Sequence, residues 1–113
     1  MKKVSVIVPM YYEEEVANEC YNRMKKVLGE LENYDYELIF VNDGSKDKTL
    51  SILEEIAEKD EKAKVISFSR NFGHQAAVTA GLKFVTGDAI VIIDADLQDP
   101  PELIPEMLKL WED

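Results

Sequence analysis

Asp94 and Asp96 stand one residue apart, directly after the apolar run 89–93. Five consecutive apolar residues, most of them β-branched, predict a strand buried on both faces, as in a parallel sheet. Ligands of open α/β sheets bind at the carboxyl ends of the strands, and side chains two positions apart on an extended backbone point to the same side. Two carboxylates so placed repel each other unless a cation lies between them, and Mg²⁺ prefers oxygen ligands together with substrate phosphates. The pair therefore predicts metal-assisted phosphate chemistry.

The composition of the chain agrees with that chemistry. Its 113 residues suit a single domain with one modest core, and 46% hydrophobic with 32% charged residues is typical of a globular protein. The net charge of −10 argues against non-specific nucleic-acid binding and against electrostatic attachment to anionic lipid. An acidic protein that binds an anionic phosphate needs a local metal or a few well-placed cations.

The cysteine content and the apolar runs indicate a cellular setting. Cys20 is the only cysteine, so no internal disulfide can form and a reducing cytoplasm is expected. No apolar run approaches the roughly 20 residues that span a bilayer, and the run 4–8 is too short for the apolar part of a signal peptide. The sequence predicts a soluble, cytoplasmic chain.

Short apolar runs and amphipathic stretches alternate along the sequence. Strands are predicted at 4–8 (closed by Pro9), 37–41, 64–68 and 89–93, and helices at about 13–32, from an N-cap at Asp47, at about 74–85, and from Pro100–Pro101 onwards. This β-α-β-α-β-α-β-α order predicts an α/β fold, a Rossmann-like three-layer sandwich with a mainly parallel sheet and right-handed crossovers.

Polar or aromatic residues follow the first two predicted strands. Tyr11 can stack on a base, since every base has a π-face. Asp43 lies in the turn-forming stretch 42–45, where its carboxylate can either accept from a ribose hydroxyl, as acidic residues do in dinucleotide folds, or close an Asx turn. Asp47, Thr49 and Asp99 are expected to cap helices.

The stretch 69–75 follows the third strand. Arg70 can clamp a phosphate or pair with one of the many acids. His74 is the only histidine, and a capping or surface role is expected for it. With one histidine and one cysteine, neither a zinc site nor a histidine-based nucleophile relay has enough parts.

Taken together, five stretches resemble family 2 glycosyltransferases of the GT-A fold. Within that family they are most similar to the polyprenyl-phosphate sugar transferases, which include dolichyl-phosphate mannose synthases and bactoprenol glucosyltransferases. In family order the stretches are VPMYYEE (8–14), VNDGS (41–45), SRNFG (69–73), AGL with TGD (80–82 and 86–88), and DADLQDP (94–100).

The resemblance implies a role for each matching residue. Pro9, Tyr11, Glu13, Val41 and Asp43 are expected around the nucleotide's base and ribose, with Arg70 near the nucleotide. Asp94 and Asp96 are expected to hold Mg²⁺ or Mn²⁺ against the diphosphate, with Ala95 and Gln98 beside the donor sugar. The donor is expected to be a UDP- or GDP-sugar, and the acceptor of the full-length protein a polyprenyl phosphate at the cytoplasmic face of the membrane.

The sequence departs from the family pattern at two points. Tyr12 stands where the family usually has Asn. The acceptor-binding half and the catalytic base are expected beyond residue 113, so residues 1–113 are interpreted as the nucleotide-sugar-binding, N-terminal half of a GT-A domain that does not complete transfer alone. An open sheet edge at this half could pair with a second copy as a homodimer.

Two other classes remain as alternatives. A sugar-phosphate nucleotidyltransferase favours a glycine-rich loop with a basic residue after the first strand, and the segment 9–12 lacks it. A non-catalytic nucleotide-binding or receiver-like module favours acids after the first strand and a late lysine-bearing strand, whereas the acid pair here follows the fourth strand.

Overall fold

The computed structural model describes residues 2–94 and 101–112. The elements are the strands β1 (Lys2–Met10), β2 (Tyr34–Asn42), β3 (Ala63–Ser67) and β4 (Ala89–Ile92), and the helices α1 (Ala17–Gly29), α2 (Thr49–Lys59), α3 (His74–Leu82) and α4 (Ile104–Glu112), the last preceded by a 3₁₀ turn at Pro101–Leu103. The predicted alternation of strands and helices is confirmed. Among the described residues, no helix is both long and apolar enough to cross a membrane.

The strands of the described chain form one parallel sheet in the order β3-β2-β1-β4. Val6 of β1 lies opposite Leu38 of β2 on one side and Val91 of β4 on the other. The chain therefore winds outward from β1 to β3 and then returns to place β4 on the far side of β1. The carboxyl ends of β1 and β4 flank this reversal of strand order, which is where open α/β sheets bind ligands.

Helices cover both faces of the sheet. The even-numbered residues of β1 from Val4 onwards point into the larger core, which also buries Met24 of α1, Leu53 of α2 and Leu108 of α4. Ile7 points to the opposite face, where α3 packs so closely that a Cβ on Gly81 would lie 2.7 Å from the Ile7 side chain. The predicted three-layer α/β arrangement is confirmed.

β4 is an edge strand, and the prediction that both its faces are buried is wrong. Its residues alternate between buried and exposed, with Ile90 45% and Ile92 44% exposed. These two side chains lie on the face that α3 covers, but α3 packs over β1 and β2. One face of β4 stays open because, within the described residues, no helix packs over it.

β1 continues through Pro9, whereas the sequence predicts that Pro9 ends it. Pro9 lies in register with Val41 of β2. The Ile7 carbonyl accepts a hydrogen bond from the Ile93 N–H at 3.0 Å, and residues two apart on a strand face the same neighbour. The Pro9 nitrogen therefore faces the side on which β4 has already ended, and its missing N–H costs no ladder hydrogen bond.

The helices also begin or end a few residues from their predicted positions. α1 begins at Ala17, because the Glu13 carbonyl first accepts the Ala17 N–H in a turn that precedes the helix. Asp47 lies one residue before the N-cap of α2, although its carboxylate accepts the Thr49 N–H at 3.0 Å. α3 ends at Leu82 because the next two N–H groups bond three residues back, in a tighter turn.

A buried carboxylate joins the strands in the amino-terminal half of the sheet. Glu37 of β2 is 2% exposed and accepts hydrogen bonds from Ser5 Oγ of β1 (2.6 Å), the Thr86 N–H before β4 (2.7 Å) and Lys64 Nζ of β3 (2.9 Å). Burial alone would raise the pKa of Glu37, but these hydrogen bonds outweigh it and lower the pKa from 4.5 to about 2. Glu37 therefore holds all the described strands together as an ionised group.

The depressed pKa makes Glu37 a source of acid-sensitive stability. Its contribution is fully present above the unfolded value near 4.5 and is lost as the pH falls through about 2. We expect Glu37→Gln to lower the free energy of unfolding at neutral pH by about 3 kcal/mol, and this deficit to shrink as the pH falls from 4.5 towards 2. Urea unfolding followed by circular dichroism at a series of pH values measures both effects.

The control for this substitution is Glu55→Gln, which removes an exposed ion pair with Lys59 and should cost less than about 1 kcal/mol. A Glu37→Gln deficit that stays constant across the same pH series would contradict the account.

Candidate functional site

A pocket of about 280 Å³ lies at the carboxyl ends of β1, β2 and β4, close to the lower end of the roughly 300–1,000 Å³ typical of small-molecule sites. It is lined by Pro9, Met10, Tyr11, Glu13, Asp43, Asn71, His74 and Asp94. The pocket therefore brings together predicted site residues that lie at or after the carboxyl ends of three different strands: Pro9, Tyr11, Glu13, Asp43 and Asp94.

β1 leads into two adjacent tyrosines. Tyr11 is 49% exposed, and its ring centroid lies 4.7 Å from that of Tyr12 in an edge-to-face arrangement. Tyr12 has a φ of 55°, in the left-handed region that Asn adopts more readily than Tyr. The positive φ at this position explains why the family pattern has Asn here. Tyr12 is held there by its N–H, which donates to Ser45 Oγ at 2.8 Å.

Asp43 organises the loop that follows β3. Its side chain is 3% exposed, and its carboxylate accepts hydrogen bonds from the Phe72 N–H (2.7 Å), the Gly73 N–H (3.0 Å) and Asn71 Nδ2 (3.0 Å). These bonds hold the loop 68–73 across the end of β2. Any contact between Asp43 and a ligand therefore shares a carboxylate that is already hydrogen-bonded to the protein.

The turn after β2 is shaped to let this loop come close. Asn42 Oδ1 accepts the Ser45 N–H at 3.3 Å. A side chain thus closes this turn, but the bond spans three residues and not the two of an Asx turn. Gly44 has a φ of 76°, and a Cβ there would lie 2.2 Å from the Arg70 carbonyl carbon and 2.3 Å from the Asn71 nitrogen. Only glycine leaves room for the loop backbone at this point.

His74 contacts Asp94, an interaction that the sequence interpretation missed. His74 Nε2 lies 2.8 Å from Asp94 Oδ1. His74 does not cap α3, since the N-cap residue is Gly73. β3 and β4 lie at opposite edges of the sheet, and only the path of the loop 68–73 over β2 brings His74 to the end of β4. The contact could not be predicted because the sequence does not reveal the strand order.

Two of the predicted nucleotide contacts lie outside the described lining of the pocket. Val41 is fully buried beneath α3 with Ile7 and Ala77. Arg70 is exposed, with its guanidinium carbon 4.6 Å from the Phe72 ring centroid. Their roles at the nucleotide stay predictions. The predicted residues Ala95, Asp96, Gln98 and Asp99 lie outside the described residues.

The pocket is acidic. Glu13, Asp43 and Asp94 line it, and its described lining contains no lysine or arginine. An anionic diphosphate beside Asp94 therefore requires a cation. The described residues contain no group of three or more His, Cys, Asp and Glu able to hold a metal. The carboxylates that line the pocket fit Mg²⁺ or Mn²⁺, which bind through one or two carboxylates and complete their coordination with substrate phosphates and water. They do not fit a closed zinc site.

The family model for glycosyl transferase family 2 matches residues 5–113. The chain belongs to this family. An uncharacterized family member of Bacillus subtilis, the glycosyltransferase YkcC, is 55% identical over 96% of this chain and 33% of its own length. A prophage bactoprenol glucosyl transferase homolog of Escherichia coli is 46% identical over 97% of this chain and 36% of its own length. This family 2 chain thus spans about a third of the length of the curated relatives it matches.

Solved glycosyltransferase structures share the fold of this family 2 chain. The mannosyltransferase PcManGT from Pyrobaculum calidifontis, in complex with GDP-Man and Mn²⁺, matches with a TM-score of 0.82 and 25% identity over 99% of this chain and 33% of its own. TarS of S. aureus in complex with UDP-GlcNAc matches with a TM-score of 0.70 and 30% identity over 92% of this chain and 31% of its own. The predicted α/β fold of GT-A type is confirmed.

The close approach of the loop 68–73 to Gly44 predicts a large effect of adding one methyl group. We expect Gly44→Ala to lower the free energy of unfolding by about 3 kcal/mol, because a Cβ would overlap the backbone at residues 70–71 and the positive φ would be strained. Gly73→Ala is the matched control. Its φ of 100° is also positive, but a Cβ there has nothing within 4 Å, so it should cost only the backbone strain, about 1–2 kcal/mol, and less than Gly44→Ala.

Urea unfolding at neutral pH, followed by circular dichroism, measures both variants. Equal costs at the two glycines would show that the approach of the loop to Gly44 is not a constraint on the fold.

Proposed function

We propose that residues 1–113 form the nucleotide-sugar-binding part of a GT-A glycosyltransferase domain, and that a longer family 2 protein supplies the acceptor-binding half. The observation that carries this proposal is the pocket at the reversal of strand order, where Tyr11, Asp43 and Asp94 converge from β1, β2 and β4. It is further supported by the need of this acidic pocket for a cation and by the nucleotide sugars bound to the matched glycosyltransferases.

The proposed donor site runs from the end of β2, over β1, to the end of β4. Tyr11 offers an exposed ring on which the base can stack, and Asp94, which lines the same pocket after β4, is assigned to the diphosphate. The proposed donor contacts are Pro9, Tyr11, Glu13, Val41, Asp43, Arg70, Asp94, Ala95, Asp96 and Gln98. The donor class that these residues suit is a UDP- or GDP-sugar.

Asp94 and Asp96 are the proposed ligands of Mg²⁺ or Mn²⁺. When bound, such a cation offsets the negative charge that develops on the nucleoside diphosphate leaving group. The protein's own part is to hold the donor still: the loop fixed by Asp43 forms one wall of the pocket, and the short strand β4 presents Asp94 at its end. Support for a divalent metal comes from the Mn²⁺ in the PcManGT complex.

For the whole protein, the proposed reaction is transfer of the sugar to a polyprenyl phosphate at the cytoplasmic face of the membrane. An oxygen of the acceptor phosphate attacks the anomeric carbon, and the bond from that carbon to the nucleoside diphosphate breaks. The bactoprenol glucosyl transferase homolog among the relatives supports this acceptor class. The proposal places the acceptor site and the catalytic base outside residues 1–113, so that the chain alone does not complete transfer.

A homodimer is a separate proposal about the oligomeric state of this chain. It is supported by β4, which is an edge strand among the described residues and which exposes Ile90 and Ile92; such an edge can pair with a strand of another chain.

Calorimetric titration with GDP and with UDP, each in the presence of Mn²⁺ and then of EDTA, tests the donor site. We expect the wild-type chain to bind at least one of the two nucleotides about tenfold or more tightly with Mn²⁺ than with EDTA, because the pocket lining is acidic. Asp94→Asn should abolish this difference, since it removes the anionic ligand and keeps the size of the side chain.

Glu58→Gln, an exposed substitution on α2 away from the pocket, is the control and should behave like the wild type. Binding that is equally strong with Mn²⁺ and with EDTA, or full metal dependence in Asp94→Asn, would contradict the proposed donor site.

A further inference from the structure

The contact between His74 and Asp94 contributes little to stability. The two side chains are 61% and 53% exposed, and solvent screens exposed pairs of this kind so strongly that they stabilise a protein only slightly. The position of His74 nevertheless depends on a buried carboxylate, that of Asp43. Asp43 accepts hydrogen bonds from each of the three residues that precede it, 71–73. The contact between His74 and Asp94 adds little stability, yet buried hydrogen bonds of Asp43 hold the backbone beside it. This contrast indicates that the contact has a role in the pocket.

Both partners are anchored through the backbone next to them. His74 is the first residue of α3 and follows Gly73, which Asp43 holds. Asp94 follows Ile93, which is 1% exposed and donates its N–H to the Ile7 carbonyl at 3.0 Å. The backbone positions from which the imidazole and the carboxylate extend are therefore held by the loop 68–73 and by the sheet.

The hydrogen bond leaves half of the Asp94 carboxylate available. His74 Nε2 contacts Oδ1, and within the described residues Asp94 Oδ2 accepts no hydrogen bond. A carboxylate held through one oxygen presents the other in a defined direction. Groups that orient a metal ligand in this way change metal affinity by about 10- to 100-fold when they are removed.

We propose that His74 is a positioning residue for Asp94: its Nε2–H donates to Asp94 Oδ1 and so orients Oδ2 towards the cation that accompanies the nucleoside diphosphate. This inference rests on the proposed donor site. His74 itself contacts neither the cation nor the nucleotide, so its removal should weaken only the metal-dependent part of binding.

Titration with GDP and UDP in Mn²⁺ and in EDTA separates these contributions. His74→Ala should lower the affinity in Mn²⁺ by about tenfold and leave the affinity in EDTA unchanged. His74→Gln should recover most of the loss, because its amide can donate from a position close to that of Nε2. Gln75→Ala, the exposed neighbour on α3 that does not line the pocket, is the matched control and should equal the wild type.

The outcomes distinguish this inference from the function on which it rests. Metal-dependent binding that His74→Ala leaves intact overturns the role of His74 alone. An equal loss in Mn²⁺ and in EDTA also overturns it, since His74 would then contact the nucleotide. The absence of metal-dependent binding in the wild-type chain overturns the donor site together with the role of His74.

Nuclear magnetic resonance of the imidazole provides a readout that needs no binding constant. His74 is the only histidine, so selective ¹⁵N-histidine labelling reports on this ring alone. At one fixed pH, Asp94→Ala should shift the Nε2 resonance, and Mg²⁺ with GDP or UDP should leave the wild-type ring in its hydrogen-bonded position. An Nε2 resonance unaffected by Asp94→Ala, or release of the ring by Mg²⁺ and nucleotide, overturns the inference.

Discussion

The hydrogen bonds of the Asp43 carboxylate are the interaction on which the rest of the pocket depends. Hydrogen bonds to a charged group contribute about 1.5–3 kcal/mol each, and Asp43 makes three, two of them to backbone N–H groups. They carry the loop 68–73 over the end of β2, which the lack of a side chain at Gly44 permits. Because the loop takes this path, α3 begins over the centre of the sheet and His74 reaches Asp94 at the far edge.

Two buried acids, Glu37 within β2 and Asp43 directly after it, have different surroundings, and this difference separates a contribution to stability from one to the pocket. Glu37 in the amino-terminal half is paired with Lys64, so its charge is compensated within the protein. Asp43 at the carboxyl end accepts from backbone and amide N–H groups, which carry no net positive charge. The pocket beside Asp43 therefore stays acidic, and with Glu13 and Asp94 on its lining it requires a cation before it can accept a diphosphate.

Much of this arrangement could be predicted from the sequence. The alternation of apolar runs with helical stripes is a local signal, and it predicted the parallel α/β fold, the elements and the position of Asp94 at a strand end. Strand order depends on contacts between distant segments, which local patterns do not contain. For that reason the exposed face of β4 at Ile90 and Ile92, the passage of β1 through Pro9 and the contact between His74 and Asp94 all escaped prediction. Asp43 was singled out as a nucleotide contact, which stays a prediction, and its bonds to the loop 68–73 were not foreseen.

The central claim is that the cation of a nucleoside diphosphate binds at the end of β4, through Asp94. A crystal of this chain grown with GDP or UDP and Mn²⁺ tests it directly, because the anomalous scattering of manganese locates the ion without reference to any model. The account predicts one strong anomalous peak about 2.2 Å from a carboxylate oxygen of Asp94, in the pocket that Tyr11 and Asp43 also line. A manganese peak elsewhere on the chain, with ordered nucleotide in the pocket and none at Asp94, would contradict it.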